Sequence, residues 1–80
     1  MKARITIRFR PGVLDPEAAT IQRSLHGLGF DEVESVARAK VIELTLAGTD
    51  RARAETRLHE MCEKLLANPV IETFEIELQG

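Results

Sequence analysis

The chain predicts a small α+β domain with strands at both ends and two helices between them. Two observations carry this. Residues 2–9 and 70–78 alternate apolar and polar side chains, the period of half-buried strands. Residues 16–28 and 51–66 repeat apolar side chains at helical spacing. At 80 residues there is room for one domain, 1–80.

The first strand places Ala3, Ile5, Ile7 and Phe9 on one face and Lys2, Arg4, Thr6 and Arg8 on the other. Pro11-Gly12 ends it. Asp15-Pro16 is a helix start, with Asp15 as N-cap, Pro16 at the first helical position and Glu17 in the first turn. Ala18, Ile21, Leu25 and Leu28 form the apolar stripe, and Gly29 supplies a left-handed stop.

Residues 30–47 read as strand. Ile42, Leu44 and Leu46 face one way, and Val41, Glu43 and Thr45 the other. Val33 and Val36 fall out of that phase, which predicts a reset near Ala39-Lys40. A tight hairpin making two strands is the preferred form, with one long bent strand as the alternative. Gly48-Thr49-Asp50 is a turn offering N-caps. Ala54, Leu58, Met61, Cys62, Leu65 and Leu66 form the second stripe, broken at Asn68-Pro69. In the last strand Val70, Phe74, Ile76 and Leu78 point in, with Thr73, Glu75 and Glu77 out. Glu72 falls on the inward phase.

The order is β-α-β-β-α-β, with both helices on one face of an antiparallel sheet: a ferredoxin-like arrangement. In it the first and last strands are neighbours. Lys2, Arg4 and Arg8 then face Glu75 and Glu77, and such pairs contribute roughly 0.2–1 kcal/mol each.

Composition narrows function. The chain is 44% apolar and 30% charged with net charge −2, which favours neither nucleic acid nor an anionic membrane. No stretch approaches the ~20 apolar residues of a membrane span. Basic residues interrupt the N-terminal apolar runs, unlike a signal peptide, so a cytoplasmic location is expected. Tyr and Trp are absent and all three phenylalanines fall at buried or boundary positions, so an open sheet face has no base-stacking aromatics. There is no serine beside a credible base, no glycine-rich phosphate loop and no CxxC. His59 and Cys62 lie three apart, but two ligands do not make a zinc site, and Cys62 belongs to the apolar stripe. His26 reads as a capping or surface residue. Arg8, Arg10, Pro11 and Gly12 sit where an anion cradle would form, yet Asp15 and Glu17 fill the place of the anion. No catalytic, cofactor-binding or metal residue is expected, and the chain should act by contact. Small domains are often stabilised by self-association.

Four segments are more particular than this architecture demands: Pro11-Gly12-Val13-Leu14-Asp15-Pro16, Leu28-Gly29-Phe30, Lys40-Val41-Ile42-Glu43-Leu44, and Met61 through Glu72. In this order and spacing they resemble the PurS family, the small subunits of phosphoribosylformylglycinamidine synthase. The likeness covers essentially the whole chain. It departs at Glu17-Ala18-Ala19 and at Ala39, where the family usually has a glycine; alanine disfavours positive φ, so the local hairpin geometry is affected.

The resemblance implies a role in de novo purine biosynthesis. The enzyme converts formylglycinamide ribonucleotide, glutamine and ATP into the formylglycinamidine product, glutamate, ADP and phosphate. A large subunit holds ATP, magnesium and the ribonucleotide, and a glutaminase subunit with a catalytic cysteine releases ammonia. The small subunit dimerises, joins the other two and supports ammonia transfer. The candidate interface residues are Pro11, Gly12 and Asp15 in one loop, Arg38 and Lys40 at a turn, and Asn68 and Pro69 before the last strand. Lys40 is singled out as a cation able to pair across an interface. The competing reading is a small-molecule sensor of the ACT type, which shares the architecture and would bind its ligand at a dimer interface.

Overall fold

A computed structural model describes residues 1–79. Strand β1 (Lys2–Phe9) is followed by helix α1 (Pro16–Gly27), strand β2 (Ala39–Thr45), helix α2 (Arg51–Met61) and strand β3 (Glu72–Gln79). A π-helical turn, Cys62–Leu66, continues α2. The sheet is antiparallel with order β2-β1-β3, so the first and last strands are neighbours, as expected. The chain is ferredoxin-like α+β.

The strand faces follow the alternation. Ala3, Ile5 and Ile7 are buried while Lys2, Arg4 and Arg8 are exposed. Arg4 stands directly opposite Glu43 on β2 and Glu77 on β3. Lys2 and Arg8 oppose Gln79 and Thr73, so they reach Glu77 and Glu75 only diagonally. The core is the inner face of β1 with Leu58, Cys62 and Ala67, and half-buried Ile42, Leu44, Phe74, Ile76 and Leu78 close around it.

Both helix starts are as expected. The Asp15 carboxylate accepts from the Glu17 and Ala18 amides at 3.0 and 3.2 Å. The Asp50 carboxylate accepts from the Arg53 amide at 3.1 Å. Gly29 ends α1 at φ +96.

Four expectations change. The hairpin over 30–47 is absent: β2 alone occupies 39–45, and residues 30–38 form no strand. Side chains of α1 take this segment's carbonyls. Gln22 Nε2 donates to Glu34 at 3.1 Å, and His26 Nε2 lies 2.7 Å from the Val33 oxygen. These contacts hold the segment to α1 rather than to β2. Secondly, only α2 covers the sheet. Ala18 is the one buried residue of α1, and no α1 residue joins the core cluster.

Thirdly, Leu65 leaves the core and is 82% exposed. A π-turn holds more residues per turn than an α-helix. The buried phase therefore runs from Leu58 and Cys62 to half-buried Leu66 and then Ala67, skipping Leu65. Finally, Val70 is 79% exposed because the last strand begins at Glu72. Asn68 Oδ1 accepts the Val70 amide at 3.0 Å, and the Asn68 carbonyl accepts those of Ile71 and Glu72 at 3.2 and 2.8 Å. These bonds wind residues 68–71 into a turn with Val70 at its tip.

The molecule is long, 50 × 26 × 14 Å, with a radius of gyration of 16.3 Å. A compact domain of this length has a radius near ~12 Å. Accessible surface is 6027 Å², against about 4,800 Å² for a compact monomer of this mass.

Candidate functional site

The candidate residues come from three separated stretches, and the fold brings them to one end of the sheet. There β1 leaves at Phe9, β2 begins at Ala39, β3 begins at Glu72 and α1 starts after Asp15. A cleft of about 250 Å³ lies between them, floored by Ile7 and Phe9 and walled by Asp15, Arg38, Lys40 and Glu72.

Two ion-pair clusters frame the cleft. Arg38 donates from Nε to Asp15 Oδ2 at 3.0 Å and from Nη2 to Oδ1 at 3.1 Å, a bidentate fork. It also pairs with Glu17. The Arg38 guanidinium holds the Asp15 carboxyl below its ordinary value, against the opposing effect of burial. Hydrogen bonding to Asp15 in turn raises Arg38. On the other side Lys40 Nζ lies 3.6 Å from Glu72 Oε2. Glu72 Oε1 accepts the Asn68 amide at 2.7 Å.

The third contact joins the loops. Arg10 Nη2 donates to the Pro69 carbonyl at 3.0 Å, and the Arg10 amide donates to Ile71 at 2.8 Å. Gly12, at φ +88, lets the chain turn after Pro11, and the Val13 amide closes on the Arg10 carbonyl at 3.1 Å.

Arg10, next to Pro11-Gly12 in the chain, thus ties that loop to Pro69. Asp15 grips Arg38. Lys40 does not project from a turn: it is the second residue of β2, opposite Ile7, and its ammonium faces Glu72. Ala39 lies in regular strand, and among the described residues no non-glycine has positive φ, so the missing family glycine causes no distortion.

Two members of this corner, Glu72 and Arg10, are not among the candidate interface residues. Glu72 has the clearer signal in the sequence, an acidic residue on the inward phase of a strand. Arg10 reads as a possible anion ligand but is committed to the Pro69 carbonyl.

Chemically the corner is a set of mutually satisfied charges. Among the described residues no grouping of three or more His, Cys, Asp or Glu is placed to hold a metal ion. Cys62 is buried in the core cluster, and desolvation, with a smaller effect of Glu63, pushes its thiol up. His59 is exposed on α2 with its ring edge-on to Phe74 at 5.5 Å. No helix of the described residues is long and apolar enough to cross a membrane.

The family model for "PurS: Phosphoribosylformylglycinamidine (FGAM) synthase" matches residues 2–80. The chain belongs to the PurS family. It is 44% identical over 78 residues to the phosphoribosylformylglycinamidine synthase subunit PurS of Methanocaldococcus jannaschii, covering 98% of this chain and 94% of that one. The Bacillus subtilis PurS structure superposes with a TM-score of 0.89 at 38% identity, covering 99% and 98% of the two chains. A chain from the structure of PurLQS from Thermotoga maritima gives a TM-score of 0.85 at 32% identity, covering 95% and 93%. This family's function is as a subunit of FGAM synthase, in purine biosynthesis.

Proposed function

We propose that the chain is the non-catalytic assembly subunit of FGAM synthase. In this reading it bridges the large ATP-dependent synthetase subunit and the glutaminase subunit and supports ammonia transfer between them. It holds no cofactor; ATP and magnesium belong to the large subunit. It works in the cytoplasm. The observation that carries the reading is the close superposition on a chain of the PurLQS structure over nearly the full length of both. The corner geometry supports it, since a set of already paired charges beside exposed loops suits a fixed contact better than proton transfer.

The same reading includes a homodimer. Among the described residues no side chain of the α1 stripe joins the core cluster, and Leu28 is 74% exposed. The surface in excess of a compact monomer, roughly 1,200 Å², is comparable with one side of a substantial interface. A second copy laid against α1 accounts for both.

The test is assembly from purified parts. Light scattering on the large subunit and glutaminase, with and without this chain, should show a joint complex only when it is present. A full-sized complex without it refutes the bridging role.

A further inference from the structure

β3 is an outer strand of the sheet, and among the described residues nothing pairs with its free edge. It runs eight residues, ETFEIELQ, in unbroken alternation. It has no proline, lysine or bulge to blunt the edge; its only charges are carboxylates, Glu72, Glu75 and Glu77. Arg51 Nη2 donates to the Leu78 carbonyl at 3.2 Å from α2, so that carbonyl faces away from β1. In an antiparallel strand alternate residues share a direction, so the amides and carbonyls of Phe74 and Ile76 face the free edge too. A groove of about 1030 Å³ runs along this edge, between α2 and residues 76–79.

Among the described residues the charge left unpaired around the edge is acidic. Glu75 and Glu77 project from β3, and Glu63 lines the groove from the end of α2. None of these three is in an ion pair among the described residues, whereas Glu55 and Glu60 are taken by Arg51 and Arg57. The opposite edge of β3 shows what it accepts. There β1 pairs antiparallel, apolar inward and basic outward, with Arg4 against Glu77. A second copy of β3 on a two-fold axis at Ile76 would set Glu75 against Glu77, and like charges directly opposite are destabilising.

From this we infer that the free edge of β3 is a strand-addition site for another subunit of the synthase, which contributes an extended segment of alternating basic and apolar residues. The inference rests on the assembly reading and names the chemistry of one contact within it.

Two measurements test it in the complete three-subunit complex. Amide exchange at Phe74 and Ile76 should slow by about tenfold or more on assembly, because free-edge amides become ladder donors. The variant E63K/E75K should weaken assembly by about tenfold, the loss of roughly two charge pairs, while its circular dichroism and homo-oligomer mass stay unchanged. Unchanged exchange at both amides overturns the inference, whatever the variant does. So does slowed exchange already present in the chain alone, which would give the edge to a second copy. If the wild-type chain fails to join its partners, the assembly reading falls as well. If it joins and the edge stays open, only the strand-addition site falls.

Discussion

Asp15 carries more of the corner than any other side chain. It caps α1 through two backbone amides and anchors Arg38 through two guanidinium bonds. Asp15→Ala should lower the thermal midpoint, and Asp15→Asn, which keeps a capping oxygen, should lower it less. The pH dependence has a definite sign. Arg38 lowers the folded pKa of Asp15 relative to its ordinary 3.8. The unfolded chain then binds the proton more readily, so stability from Asp15 is complete above that value and is lost as pH falls through the folded pKa. Thermal unfolding of wild type and Asp15→Asn should differ at neutral pH and converge in acid. A constant gap would contradict the ion pair. For Cys62, burial predicts a thiol slow to react with a disulfide reagent in the native protein and fast after urea unfolding.

At the level of elements, legibility followed local chemistry. Alternation marked β1 and β3 because each buries one face. Asp15-Pro16 and Asp50 marked both helix starts because capping involves only neighbours in sequence. The pattern of 30–38 predicts strand where there is none, because the segment's contacts are with Gln22 and His26 of α1, a tertiary effect that no local pattern shows. Helical periodicity places Leu65 in the core stripe because it cannot reveal a widened turn. The candidate corner was legible as three turns and two cations, but not as one place, since joining them needs the sheet register. Urea unfolding can check the π-turn. Leu58, wholly buried, should cost about 2–5 kcal/mol on change to alanine. Leu65→Ala should stay within about 0.5 kcal/mol. Equal costs would restore Leu65 to the core stripe.

The whole molecule is too extended for a finished domain of its length, with an apolar helix stripe left outside the core. Under the proposed reading, self-association and assembly answer the same deficit. Ile21→Glu, on the exposed face of α1, should reduce the homo-oligomer mass seen by light scattering while leaving the α-helical circular dichroism in place. An unchanged mass would move the self-contact elsewhere. Under the proposed assembly role, the chain is expected to matter for nitrogen delivery rather than for the ligation step.

The most direct measurement is therefore turnover with the nitrogen source controlled. Large subunit and glutaminase are assayed for FGAM formation with glutamine and, separately, with ammonium, each with and without this chain. The expected result is that glutamine-dependent turnover requires the chain while ammonium-dependent turnover by the large subunit persists without it. Glutamine-dependent turnover that is the same in its absence would contradict the account.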